Sequence, residues 1–285
     1  MTGRIRNQRA SATRQPPHTR LMQNPVDGLC CSSMINDYDR IAPVFDVAIG
    51  ADFNRLLYES IRNEMAKNLR FTKNLRHLDL CCGTGDFLCR INNEFASEAH
   101  GIDWSPGLVR LARKRARRTG QKLVLARGDV LTTSFPQECH LVTMNFDALN
   151  HLKQLGNWEA LFKRVHKSLR RDGIFMFDVN SPKALRAWDV PTVIVRPQFT
   201  YLQIGLDGQA GHQSFRRQLL VEIFDKSTSH STAYSMILEE LAISFSLLTK
   251  LLRSSGFTSV HRWKPPKAAI RRNVFFNHRW FCIAR

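Results

Sequence analysis

The sequence predicts an α/β fold: a mostly parallel sheet with helices on both faces, followed by an antiparallel insertion. Three observations predict it. From His77 to Asn180, short apolar runs alternate with segments of helical period, the pattern of parallel strands joined by right-handed crossovers. A turn of small residues, Cys81-Cys82-Gly83-Thr84-Gly85, joins the first such run to its helix. From Thr192 to Ser235 the period shortens to strand-like runs at 192–196, 199–204, 215–224 and 231–236, with Gly and Asp between them.

In chain order, residues 1–33 carry Arg, Gln, Ser and Pro without hydrophobic periodicity, and are expected to be a disordered basic tail. Arg4, Arg6, Arg9, Arg14 and Arg20 precede the first acid, Asp27, which also fits an organelle transit peptide. Pro16 and Pro17 favour the plain tail. Residues 34–71 read as a helical cap in two pieces. Tyr38-Asp39 and Phe45-Asp46 mark the first; Phe53, Leu56, Leu57, Ile61, Met65 and Leu69 repeat at helical spacing in the second.

The run His77-Leu78-Asp79-Leu80 reads as a buried strand, and Leu88, Ile91 and Phe95 set the helix after the turn. Gly83 and Gly85 let backbone approach a ligand that a Cβ would block. The helix start aims free N–H groups at the same spot. Asp79 separates two cofactor classes. A carboxylate before the turn repels a dinucleotide pyrophosphate, but suits the ammonium of S-adenosylmethionine. Leu88 also stands where the dinucleotide fingerprint has its third glycine.

These residues resemble the first motif of the class I S-adenosylmethionine-dependent methyltransferases, roughly D-x-G-x-G-x-G. Asp79, Gly83 and Gly85 match, and Cys81 stands in the place of the first glycine. Cysteine is compact but takes a positive φ only at a cost. The resemblance implies a Rossmann-like, seven-stranded, mostly parallel sheet.

Residues 99–103 read as the second strand, with Asp103 at the distance where an acid meets a ribose hydroxyl pair. Trp104 is a candidate for the adenine face or for core packing. Ser105 and Pro106 read as N-cap and first position of the next helix. Residues 122–126 form the third strand, ahead of Gly128-Asp129-Val130. The resemblance places Asp129, beside Val130, at the adenine amino group. Residues 140–146 form the fourth strand and run into 147–152, where the family builds its reacting centre. Asn145 is assigned to the cofactor.

Asn145-Phe146-Asp147-Ala148 replaces the N/D-P-P-Y/F of amino-group methyltransferases acting on bases or glutamine. Cys139 lies at the wrong end of its strand for a cytosine-5 nucleophile. Both points argue against nucleic-acid substrates. A helix at 158–169 and a fifth strand at 174–180 follow, and L-R-R-D-G-I-F-M-F-D-V-N-S-P resembles the family's L-x-P-G-G-x-F-x-F-D-x-N-T/S. Asp178 and Asn180 fall at the strand end, where open α/β sheets place ligands. Residues 191–236 are expected to form an antiparallel lid over the mouth of the site. A helix at 243–252, a strand opening at Gly256-Phe257 and a last strand at 275–284 complete a resemblance covering 36–285.

The small-molecule branch, UbiE-like and glycine-sarcosine N-methyltransferase-like, is the nearest in pattern. The expected reaction is methyl transfer from S-adenosylmethionine, releasing S-adenosylhomocysteine. Asp79, Cys81, Gly83, Gly85, Asp103, Trp104, Asp129, Val130 and Asn145 are expected around the cofactor. His151 is the candidate base, and Tyr38 a contact near the methyl group. Rival readings are an RNA or protein methyltransferase and a non-catalytic S-adenosylmethionine-binding protein on the same fold.

The net charge of +18 admits an anionic acceptor, but its basic runs, as in Arg113-Lys114-Arg115, read as solvated helix faces. Seven cysteines without paired spacing argue against a disulfide framework and a metal site, and point to a reducing, cytoplasmic home, with a mitochondrial one as the transit-peptide alternative. No apolar run reaches membrane-span length. A homodimer stays open.

Overall fold

A computed structural model describes residues 37–68, 74–207, 214–225, 229–272 and 276–285. The expected tail at 1–33 lies outside the described residues. The strands are β1 (Leu75–Leu80), β2 (Ala96–Asp103), β3 (Leu123–Arg127), β4 (Cys139–Met144), β5 (Leu169–Asn180), β6 (Thr192–Arg196), β7 (Phe199–Asp207), β8 (Ser214–Asp225), β9 (His230–Leu241), β10 (Val260–Trp263) and β11 (Arg279–Ala284). The helices are α1 (Asp37–Ile41), α2 (Ala51–Asn68), α3 (Asp86–Glu94), α4 (Pro106–Arg118), α5 (Leu155–Ser168), α6 (Pro182–Arg186), α7 (Phe245–Ser254) and α8 (Lys267–Arg272).

Seven strands form one sheet in the order β10-β11-β5-β4-β1-β2-β3. β1 to β5 run parallel, β11 lies antiparallel to β5, and β10 antiparallel to β11. The chain winds outward in both directions from the β1–β4 pair. The loops after these two strands therefore part and leave a crevice at their C-terminal ends.

The central strands are buried on both faces, which is why they read as apolar runs. Leu78, Val142 and Phe177 pack with Trp158 and Phe162 of α5 and with Leu248 and Leu252 of α7. Leu141, Ile174 and Met176 pack on the other face with Phe53, Leu57 and Ile61 of α2 and with Phe87 and Ile91 of α3. Ser105 caps α4 as expected: its Oγ accepts from the Leu108 N–H, with Pro106 at the first turn.

The second sheet, β6-β7-β8-β9, is wholly antiparallel. Its inner residues Tyr201, Leu219, Val221, Met236 and Leu238 share a core with Ile41, Val44, Phe45 and Ile49. Ile41 ends α1, Val44 ends a 3-10 turn at Ala42–Val44 that contains Pro43, and Phe45 links that turn to a π-helical turn at Asp46–Gly50, which carries Ile49. Lid and cap thus form one apolar layer against the crevice.

Several boundaries differ from expectation, β11 among them, which starts at Arg279 rather than 275, and three have a physical reason. β9 runs to Leu241, past residue 236, because its last residues include Glu240, a buried charge that hides the strand's inward face. β5 starts at Leu169 rather than 174, and its first four residues are not buried, so they carry no apolar run. Gly256 takes φ 110 in the turn after α7, so β10 begins only at Val260, and the short helix α8 then follows. Among the described residues, no helix is long and apolar enough to cross a membrane.

Candidate active site

A cavity of about 680 Å³ opens at the C-terminal ends of β1, β2 and β4. The cap covers it with Tyr38 and Phe45, and β9 with Ile237, Leu238 and Glu239. Every residue assigned to the site from sequence lines it except Gly85.

The turn after β1 alternates left-handed residues: Cys81 at φ 55, Gly83 at φ 55 and Gly85 at φ 70. Cys81 takes the positive φ in spite of its Cβ, a conformation that costs about 1–2 kcal/mol. Gly85 begins α3 outside the cavity lining. A Cβ there would lie 3.1 Å from Ala112 Cβ of α4, so the glycine serves the turn and close helix packing. Gly85→Ala is therefore expected to lower stability by about 1–2 kcal/mol, the left-handed penalty, with further loss from the Ala112 contact. Chemical denaturation checks this, and an unchanged midpoint would refute it.

Asp103 is buried at the end of β2. One carboxylate oxygen accepts from Gly83 N–H at 2.8 Å and the other from Ser105 N–H at 2.9 Å. Burial outweighs these donors and pushes its pKa up to about 6. Asp79, at the end of β1, is pushed up to about 7, again by burial first, although Thr143 Oγ donates to it at 2.6 Å. Both acids hold their protons to higher pH folded than unfolded. Their contribution to stability is present below the unfolded carboxylate pKa, about 4, and is lost as pH rises toward 6–7. A cationic or hydroxyl-bearing ligand relieves that loss.

Asn145 follows β4, and neither its side-chain oxygen nor its nitrogen has a protein partner although both are buried. Buried polar atoms are normally paired, so this amide, lining the cavity, points to a ligand. Asp129 accepts from Leu131 N–H at 2.8 Å, an Asx turn that leaves its other oxygen for a ligand. Trp104 is 56 % exposed on the rim, so its place is at the mouth rather than in the core.

At the other end, Tyr38 Oη and His151 Nε2 lie 2.9 Å apart, with the rings edge-on. Burial, followed by the charge of Asp147, raises the Tyr38 phenol well above its ordinary pKa of 10. Lys153 and Glu239 form an ion pair of 2.6 Å between the turn after β4 and β9.

Two acids of the cap, Asp39 and Asp46, and one arginine of α4, Arg115, seat the cap over the site. Asp39 accepts from Ser105 Oγ and from Gly107 N–H at 2.9 Å. Asp46 accepts from Thr84 Oγ at 2.5 Å. Arg115 joins Asp46 to Asp86 and donates to Thr84 O at 3.1 Å.

Asp178 and Asn180 do not line the cavity. Phe146 at φ 61 and Asp147 at φ 53 are consecutive left-handed residues, strain of order 1–3 kcal/mol each. Asp178 holds this turn by accepting both N–H groups, at 2.5 and 3.0 Å, and pairs with Arg279. Asn180 bridges Asp147 at 2.6 Å and Glu240 at 2.8 Å. A strand-end acid and amide look like ligand groups in sequence. Here they build the turn that leads from β4 to His151. Thr84, Asn54, Phe146, Lys153 and Glu239 line the cavity without having been singled out. Asn54, polar and next to the apolar stripe of α2, is the one among them with a readable signal.

Residues 78–173 match a family model described as a methyltransferase domain. The phosphoethanolamine N-methyltransferase of Plasmodium falciparum is 26% identical over 126 residues, 44% of this chain and 47% of that protein. The chain spans about half the length of the curated relatives it matches. A Clostridium acetobutylicum S-adenosylmethionine-dependent methyltransferase superposes with TM-score 0.69 at 18% identity, covering 88% of this chain and 99% of that one. An amino pentose methyltransferase of Micromonospora echinaspora, solved with S-adenosylmethionine, gives TM-score 0.62 at 16% identity, covering 80% and 89%. The chain has the fold of the class I S-adenosylmethionine-dependent methyltransferases, with a methyltransferase domain match at residues 78–173.

Proposed function

We propose that the protein transfers a methyl group from S-adenosylmethionine to a small-molecule acceptor. The observation that carries this is the cavity itself. An unpartnered amide, Asn145, and three carboxylates, Asp79, Asp103 and Asp129, surround a space of the size that encloses a whole small ligand, about 300–1,000 Å³. When bound, S-adenosylmethionine supplies a methyl group on a positively charged sulfur, open to in-line attack.

The chain's own residues then have separable tasks. Asp79 receives the ammonium and Asp103 the ribose hydroxyls. Asn145 satisfies its amide on the cofactor, and Asp129 with Val130 meets the adenine. The cap and β9 exclude water, and Tyr38 with His151 orients the acceptor and takes its proton. Much of the acceleration then comes from positioning.

Charge supports a neutral or amine-bearing acceptor over an anionic one. The lining has four carboxylates, Asp79, Asp103, Asp129 and Glu239, and its one lysine, Lys153, is held by Glu239. The basic residues Arg110, Arg113, Lys114, Arg117 and Arg118 stand exposed on α4, away from the cavity. The names of two similar proteins, acting on phosphoethanolamine and on an amino pentose, fit an amine, the first one beside a phosphate.

The test is calorimetric titration with S-adenosylhomocysteine, followed by methyl transfer to a panel of amines and alcohols. Asp103→Ala is expected to weaken binding by about 1.5–3 kcal/mol, the scale of hydrogen bonds to a charged group, with the fold intact. Unchanged affinity in the folded variant would remove the ribose assignment. Binding without turnover of any acceptor would favour a non-catalytic role. Salt-sensitive retention of RNA would favour a nucleic-acid substrate.

A further inference from the structure

His77 is fully buried on β1, two residues before Asp79, and touches no ligand space. Its Nε2 lies 2.7 Å from Thr143 Oγ on the neighbouring β4. The same hydroxyl donates to Asp79 Oδ1 at 2.6 Å. His77 Nδ1 has no partner.

Once Asp79 is ionised, these contacts fix the direction of every proton. The ionised Asp79 only accepts, so the single hydroxyl hydrogen of Thr143 points to it. Thr143 Oγ must then accept from His77, which places the imidazole hydrogen on Nε2 and leaves Nδ1 bare. Burial drives the His77 pKa down to about 3, so the ring stays neutral and keeps this tautomer.

We infer that His77 is a positioning residue for the cofactor: through Thr143 it turns the Asp79 carboxylate so that its second oxygen faces the cavity and receives an ammonium. The inference rests on the proposed use of S-adenosylmethionine. A lone carboxylate on a strand end can rotate about its Cα–Cβ and Cβ–Cγ bonds. One anchored through a chain of two buried side chains cannot, and the ordering is complete before the ligand arrives. The relay also favours the ionised acid, since a donor to a carboxylate stabilises its charge. The other groups around Asp79 and His77 oppose ionisation or are neutral: Asp103 on β2 repels the Asp79 charge, Cys81 beyond β1 is a thiol whose pKa burial raises, and His100 on β2 repels a charge on His77. Below about pH 7 the empty site holds Asp79 protonated, so uptake of an ammonium there expels one proton to the buffer.

The experiment titrates the full chain with two probes. S-adenosylhomocysteine carries the amino-acid end; methylthioadenosine has the same adenine and ribose without it. Thr143→Val is expected to weaken S-adenosylhomocysteine roughly tenfold to a hundredfold, the loss of a hydrogen bond to a charged group, and to leave methylthioadenosine nearly unchanged. The pH at which S-adenosylhomocysteine affinity levels off should move upward, because the donor that favoured the charge is gone. Thr143→Ser should restore both. If Thr143→Val does not melt cooperatively, the pair His77→Phe with Thr143→Val, which leaves no imidazole nitrogen without its hydroxyl, is measured in its place with the same expectation. Equal losses for both probes, no loss for either, or an unmoved pH limb would overturn the relay. Wild-type protein that binds neither probe would overturn the cofactor reading instead.

Discussion

Arg217→Met is expected to lower the unfolding free energy by about 3–5 kcal/mol, the cost of breaking a buried ion pair from one side. Arg217 lies buried on β8, with Nη2 2.6 Å from Glu240 of β9 and Nη1 2.6 Å from Gln203 of β7. It also reaches Asp147 at 3.4 Å and stacks on Trp188 with its guanidinium 3.9 Å from the ring centre. Methionine fills the volume but leaves Glu240 charged and fully buried.

The pH dependence follows from Glu240. Burial already raises its pKa above the ordinary carboxylate value, with Arg217 pulling the other way. Without the arginine the folded-state pKa rises further. A raised folded pKa gives stability that is present at low pH and lost as pH climbs through it. The deficit should therefore be smaller at pH 5 than at pH 8. Adding Glu240→Gln to Arg217→Met should recover part of the loss, since no unpaired charge then remains. Denaturant midpoints of the three proteins decide it. An Arg217→Met midpoint equal to wild type would mean that the network does not hold the lid to the core.

The sheet and its glycine turn were legible because each has a local chemical signature. Buried parallel strands must be apolar, and a turn that lets backbone approach a ligand must be small. Ser105 and Pro106 announced α4 because a helix start needs an acceptor and tolerates a missing N–H. The acid at the end of β1 and the acid at the end of β2 fall where the strand ends converge, which is geometry the alternating pattern already implies. The lid was legible only as strands. Its attachment runs through Arg217 and Glu240, and in a sequence such residues look solvent-facing. Glu240 hid the end of β9 for that reason.

The role of Asp178 is hidden for a related reason. A strand-end acid is either a ligand or a support, and only the left-handed pair Phe146-Asp147, invisible in sequence, tells which. The His77–Thr143–Asp79 chain crosses two strands distant in sequence, so no spacing rule could bring it together. What the structure adds is that ten of the eleven residues expected around the cofactor or at the reacting centre, all but Gly85, meet at one space.

His151→Ala is expected to reduce kcat about a hundredfold or more, the usual range for removal of a general base, while S-adenosylhomocysteine affinity holds. The geometry gives the prediction a second arm. Tyr38 stays protonated because burial raises its pKa well above 10, so its hydroxyl can donate to His151 Nε2 at 2.9 Å while accepting a proton from the acceptor. Tyrosine and histidine then act in series: the acceptor proton passes to Tyr38 oxygen as the phenol proton passes to Nε2. Removing either link breaks the same path. Tyr38→Phe should thus also lose turnover, and the double variant should be little slower than His151→Ala alone, because residues that act as a unit are not additive. Additive losses would mean that Tyr38 only shapes the pocket and that His151 meets the acceptor by another route. Near-normal turnover in His151→Ala would make the histidine a structural partner of Tyr38. Catalysis would then rest on holding the acceptor in line with the methyl group, which the cap and β9 can do without a base.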